Sequence, residues 1–357
     1  MLSSTRGLLS RHRTTDANNP GNASIIDFAT PPRVLLTGAG FSHNFGGFLA
    51  DQMWGHILNN PDVSTHATLR RKMLDGRYNL NYEKIYSDLR VRKDPRFITY
   101  AKAVFDAYQR LDEILRVSIF NEGRTHGIAL PEVNQWLFEL GDSQSNGIIF
   151  TLNQDLFFER QRVAKFFDEL VLPGIPKEGQ PRSVAPSKQI HPVVEVPRLE
   201  EPNLKLGRLN LIKLHGSCNW IDESAGETMV IGGNKEQAIK EHRLLEAYFA
   251  LFREKLSQPR VQLWIIGYGF RDRHINSAIV GGIKRAGLRI YVIDPRLPQT
   301  FRKDLASELH FGTIWNAIHG YIPNTLKGIF PVGDSFKSLT DVHPSEPLLQ
   351  IRDLMTN

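Results

Sequence analysis

Arg33-Val-Leu-Leu-Thr-Gly-Ala-Gly-Phe-Ser42 is a short apolar run that breaks into glycines and then opens a helix. Val34, Leu35 and Leu36 read as a buried strand, Gly38 and Gly40 admit close backbone approach, and Ser42 is placed to cap the helix that follows. Amides at such a helix start carry partial positive charge, so Gly38, Ala39, Gly40, Phe41 and Ser42 read as a phosphate cradle that needs no lysine. The third glycine of a GxGxxG fingerprint falls on His43, no clear strand ending in an acid follows within about twenty residues, and no Gly-Lys-Ser/Thr follows the glycines. An ordinary dinucleotide dehydrogenase and a Walker loop are therefore disfavoured. The alternative is a glycine turn that only packs a helix against a sheet.

Working outward, Leu49, Met53, Trp54, Ile57 and Leu58 recur at helical spacing until Asn59-Asn60-Pro61 stops the pattern. Helical stripes continue through Tyr82, Ile85 and Leu89, through Phe97 to Leu115, and through Val133, Trp136, Leu137 and Leu140, with no strand signal among them. Strand patterning returns at Gly147–Leu152 and runs into Asn153-Gln-Asp155, followed by a helix containing Phe157, Phe158, Val163 and Phe166. From Pro173 to Pro202 the composition predicts an irregular excursion. Leu209–Leu214 is the next strand and delivers His215-Gly-Ser217. A hairpin around Thr228–Ile231 and a helix from about Lys235 to Leu256 precede two clear strands, Val261–Ile266 ending in Gly267-Tyr-Gly269 and Leu288–Ile293 ending in Asp294. Between them Asp272 is placed to cap a helix, with Arg273 and His274 as its exposed neighbours. After Pro331 the chain is weakly patterned. The predicted division is an N-terminal arm at 1–30, an α/β nucleotide-binding domain at 31–60 and 141–325, a helical insertion at 61–140 and a C-terminal extension at 326–357.

The 357 residues suggest about two structural units, and 41% hydrophobic with 23% charged residues is globular composition. No apolar run approaches the ~18 residues of a membrane span. A net charge of +6 permits nucleic-acid contact without arguing for it. Cys218 is the only cysteine, which excludes an internal disulfide and a cysteine-rich zinc module, so no metal is expected and a reducing cytoplasm fits. Arg6, Arg11 and Arg13 precede the first acid, Asp16, in an arm that faintly resembles a transit peptide or is simply polar and flexible.

Parallel strands bring their carboxyl ends to one edge, so Gly38-Ala-Gly40, Asn153 with Asp155, His215, Gly267-Tyr-Gly269 and Asp294 can share one crevice. The ordered set GAGFS, TLNQD, LHGS, IIGYG and VID, over about residues 33–295, resembles the sirtuin-like NAD-binding family. That resemblance implies a sirtuin-like Rossmann-type parallel sheet with helices on it and NAD+ as substrate. Two departures from the protein-deacylating members stand out: Ser42 leads into His43-Asn-Phe-Gly-Gly-Phe48, and the four zinc cysteines are missing. The helical insertion and the Gly-Tyr-Gly-Phe-Arg-Asp strand end resemble the bacterial anti-phage branch, which implies NAD+ hydrolysis, a homo-oligomer, and a HerA-type ATPase or other defence partner supplied in trans.

Cleaving the nicotinamide–ribose bond needs orientation and a base for a hydroxyl or water rather than a strong acid. His215 suits the base, Asn153 can donate and accept at once, and Asp155 either orients the ribose or caps the next helix. The expected catalytic set is Asn153, His215 and Asp155. Gly38, Ala39, Gly40, Phe41, Ser42, Gly267, Gly269 and Asp294 are expected to bind the nucleotide, Asp294 through ribose hydroxyls. The rival readings are NAD-dependent deacylation or ADP-ribosylation of a protein, and a non-catalytic NAD or ADP-ribose binder.

Overall fold

The computed structural model describes residues 31–140, 147–163, 170–175, 194–196, 202–222, 226–333 and 344–356. The arm at 1–30, Phe166 and most of the 173–202 excursion lie outside these residues.

The opening run forms β1 (Arg33–Thr37) and turns into the short α1 (Ala39–His43). The helical stripes become α2 (Ala50–Asn59), α3 (Pro61–Ser64), α4 (Ala67–Met73), α5 (Tyr82–Val91), α6 (Phe97–Phe120) and α7 (Leu130–Leu140). Pro61 does not merely end α2. It opens α3, where its missing N–H costs nothing, and the Asn60 side chain caps that helix by accepting from Asp62 N. Strand structure resumes with β2 (Gly147–Thr151), then α8 (Phe157–Val163), β3 (Leu170–Val171), β4 (Val194–Glu195), β5 (Leu209–Lys213), β6 (Trp220–Asp222) and β7 (Gly226–Glu227). The remainder is α9 (Lys235–Glu241), α10 (Arg243–Leu256), β8 (Gln262–Ile266), α11 (Arg273–Ala286), β9 (Arg289–Ile293), α12 (Pro298–Leu305), α13 (Phe311–Asn316), β10 (Ile318–Ile322), α14 (Leu326–Ile329) and α15 (Glu346–Thr356).

Seven strands form one sheet in the order β10-β9-β8-β1-β2-β5-β3, with every pairing parallel, and helices flank it. This is the Rossmann-type α/β arrangement expected from the sequence. The strands β2, β5 and β8 are buried along their whole length, as apolar strands covered on both faces must be. Because β1 sits between β2 and β8, the chain leaves the first strand in one direction and later returns on its other side, which opens a crevice at the carboxyl ends. Register sharpens this: Thr37 pairs with Thr151 and with Ile266, and Thr151 pairs with Lys213. The segments beginning at Gly38, Leu152, Leu214 and Gly267 therefore leave the sheet at one level.

Three local expectations shift. The hairpin lies at β6 and β7, which pair antiparallel, and not at Thr228–Ile231, whose Val230 N instead donates to the His215 carbonyl at 3.0 Å. The long helix at 235–256 is two helices, broken where His242 takes an extended conformation (φ −116°, ψ 109°). The weakly patterned end contains α15, whose Ile351 is fully buried.

Candidate active site

At the end of β1 the glycines serve a backbone crossing. Gly38 N donates to Ile266 O and Gly40 N to Gly267 O, both at 3.0 Å, while Phe41 N donates to Gly38 O at 2.8 Å. Gly267 has φ +66°, and a Cβ there would lie 2.1 Å from Phe41 N, so the β1 and β8 turns can cross only with glycine at this position. Three amides of the cradle are thus already engaged by protein carbonyls. Ala39 is exposed, whereas Phe41 is buried in an aromatic cluster with Phe45, Phe157 and Phe158. Gly269 is exposed at the same strand end.

Ser42 does not cap α1; it lies inside that helix and its hydroxyl donates to Asp155 Oδ2 at 2.8 Å. Having given its one proton to Asp155, Ser42 must accept from Asn153 Nδ2, 2.9 Å away, which fixes the amide's orientation. The second Nδ2 hydrogen goes to Gly38 O at 3.0 Å, and Oδ1 is the part of Asn153 left to accept from a ligand. Asp155 Oδ1 accepts from Phe157 N at 3.1 Å, so this carboxylate caps α8 while holding Ser42. Burial pushes its carboxyl pKa up, against the opposing Lys213 charge and the Ser42 hydrogen bond.

Lys213 and Glu159 are a buried pair that the sequence reading missed. Lys213 Nζ donates to Glu159 Oε1 at 2.7 Å and to Asp155 O at 2.5 Å, with the lysine fully buried. Gln154, central to TLNQD, is a structural brace: its Nε2 donates to Val230 O at 2.9 Å and its Oε1 accepts from Tyr108 OH of α6. The helical region is thereby bonded to the strand end that carries Asn153.

His215 follows β5 and is 3% exposed. Its Nε2 lies 2.9 Å from Nε2 of His274, on the first turn of α11. One imidazole must donate and the other accept, so this contact carries a single proton. Burial drives the His215 pKa well below its ordinary value, reinforced by the Lys235 charge, and lowers that of His274 to about 4. His274 is thus a buried partner of His215, not an exposed neighbour of a cap. Asp272 occupies the N-cap position of α11 without a capping bond. Its carboxylate instead pairs with Lys235 Nζ at 2.8 Å, and Lys235 also reaches Glu83 at 3.0 Å. Burial opposes ionisation of Asp272, but Lys235 overrides it and holds the carboxyl at about 2.

Asp294 follows β9, but Arg296 engages both of its oxygens, at 2.8 and 2.7 Å, and also donates to it from its backbone N. The structure therefore joins Asn153 and Asp155 through the Ser42 hydroxyl, sets His215 at the adjacent strand end, and gives Asp294 a partner of its own. His274 carried a usable signal, since it continues the Gly-Tyr-Gly-Phe-Arg-Asp strand end. Glu83 and Lys235 carried none, being 152 residues apart.

No helix among the described residues is long and apolar enough to cross a membrane. No curated protein matches the chain. Residues 147–314, which hold Asn153, Asp155, His215, His274 and Asp294, match the model of a SIR2-like domain, whose family members are NAD-dependent enzymes.

Proposed function

We propose that this protein is an NAD+ glycohydrolase that cleaves NAD+ to nicotinamide and ADP-ribose. The observation that carries the reading is the meeting, at one edge of a parallel sheet, of an asparagine with one free acceptor and a histidine kept neutral by burial. These groups fit the ribose half of the substrate. At the glycine turn the fit is narrower, because the amides of Gly38, Gly40 and Phe41 are engaged and Ala39 is the exposed residue among them.

In this mechanism Asn153 Oδ1 accepts from a ribose hydroxyl or from the attacking water and holds it in line with the scissile bond. His215 takes the proton, the role suited to a neutral imidazole. Asp155 acts through Ser42 and Phe157, fixing the turn on which Asn153 stands. Asn153, Asp155 and His215 are all buried, so turnover requires the crevice to open. Motif resemblance alone supports the wider reading: a cytoplasmic, NAD-depleting effector of bacterial anti-phage defence, oligomeric and activated by a HerA-type ATPase or other partner in trans.

The test is release of nicotinamide and ADP-ribose by the purified chain, alone and with a candidate ATPase partner. His215→Ala and Asn153→Ala should each lower turnover about a hundredfold or more while circular dichroism stays native. Undiminished turnover in both variants places the chemistry elsewhere. Tight nucleotide binding without turnover in any condition makes the protein a binding module.

A further inference from the structure

The His215 side of the crevice contains one arrangement that NAD+ cleavage does not need. One imidazole nitrogen each of His215 and His274 and one carboxylate oxygen of Asp272 lie within 4.8 Å of one another. Two nitrogens and one oxygen are the donors of an open tetrahedral zinc site, with ligand bonds of about 2.0–2.2 Å. Such bonds set neighbouring donors roughly 3.3 Å apart. The histidine pair, at 2.9 Å, would open slightly and Asp272 would close in. The donor set suits zinc-like cations and not magnesium or calcium, which prefer oxygen.

Charge points the same way, independently of that geometry. Glu83 and Asp272 share the single ammonium of Lys235, which leaves this half-buried group one negative charge in excess beside two imidazoles. Lys235 can keep Glu83 when Asp272 turns an oxygen to a cation, so binding strands no charge. A cleft of about 250 Å³, lined by Glu236, Phe249, His274 and Ser277 and by the cationic Arg253 and Arg285, reaches the far histidine from outside. Neither sulfur nor the missing cysteine module enters the arrangement.

We propose that His215, His274 and Asp272 bind one zinc-like divalent cation, and that its binding withdraws His215 from catalysis. The inhibitory half rests on the glycohydrolase reading; the binding half does not. A cation on His215 occupies the nitrogen lone pair that would accept the proton, and its departure restores the base.

The experiment uses the full chain stripped with chelator and loaded with Co2+ or Zn2+ alone. The expected result is one Co2+ per chain with the visible absorption of a four-coordinate site, displaced by Zn2+. X-ray absorption of the zinc-loaded parent should show imidazole and oxygen donors without sulfur. His274→Gln and Asp272→Asn, each checked for native circular dichroism, should weaken binding tenfold or more, while Cys218→Ser leaves it unchanged. Zinc should lower NAD+ turnover at least tenfold, with recovery on adding chelator. Absence of stoichiometric binding, a sulfur donor, or unaltered affinity in folded His274→Gln overturns the site, and the parent measurements decide even if the variants fail to fold. Binding with turnover indifferent to zinc overturns the inhibitory half. Binding in a chain that never cleaves NAD+ leaves the site standing and removes the glycohydrolase.

Discussion

The two sides of the crevice are built on opposite plans. On the β1–β2 side, Gly38, Ser42, Asn153 and Asp155 form a hydrogen-bond circuit in which almost every donor has a partner inside the protein. On the β5–α11 side, two buried imidazoles share one proton, next to two carboxylates that share one lysine. The first side is almost saturated and keeps only Asn153 Oδ1 open to a ligand. The second has capacity left for a proton or a cation, which is where proton transfer can occur. Similar polar residues at equivalent strand ends thus become scaffold or reactive group according to how many partners the fold supplies.

The strongest challenge to the scaffold side is Gly267→Ala. Its Cβ would meet backbone, which cannot move aside as a side-chain tip can, at a residue with φ +66°. We expect a loss of about 4 kcal/mol or more, or no folded protein, read by denaturant unfolding. A loss below about 1 kcal/mol would mean that the turns do not cross as tightly as described.

The reactive side should show itself in acid. A histidine whose folded pKa is depressed lends stability that is present above its unfolded value, near 6.5, and is lost as pH falls toward about 4. Asp272 adds a second loss only between about 3.8 and about 2. In urea titrations with chelator present, His274 alone should therefore cost the parent up to about 3 kcal/mol on going from about pH 7 to about pH 4.5, and the likewise depressed His215 adds a loss of the same sign. His274→Gln should flatten that slope, and an unchanged slope would remove His274 as its source.

Asp155→Asn separates the two plans directly. It retains an oxygen for one of the two hydrogen bonds, so stability should fall by about 1–2 kcal/mol in a denaturant midpoint. Turnover per folded molecule should fall far less than in Asn153→Ala. An equal fall would move Asp155 from scaffold to chemistry. The smallest expected effect is Tyr108→Phe, which removes the buried hydroxyl from Gln154 Oε1 and should cost about 1 kcal/mol in thermal or denaturant unfolding.

Much of the fold was legible in order and type. Buried parallel strands such as Ile148–Phe150 and Leu263–Ile266 are continuous apolar runs, and the helical stripes repeat at their own period, because each element's burial is written locally. The failures fell where a residue's fate depends on a distant partner. Ser42 looked like a cap because serines often cap helices, yet Asp155, 113 residues away, takes its proton. Asp272 had the right position for capping, but Lys235 draws its carboxylate off. His242, an unremarkable residue in a helical pattern, breaks that helix into two.

The sequence by itself determined the parallel α/β architecture and the polar residues that close its strands, because hydrophobic period and strand-end composition are properties of neighbouring residues. Only the tertiary structure decided that the glycines close on Gly267, that Asp155 supports rather than exposes its carboxylate, and that His215 faces His274. Those outcomes depend on which strand lies beside which, and on how many hydrogen bonds remain once residues as distant in sequence as Gly38 and Ile266 have met. A single polar residue carries its donors and acceptors in its own chemistry, but the number left over for a ligand is a property of the assembled fold.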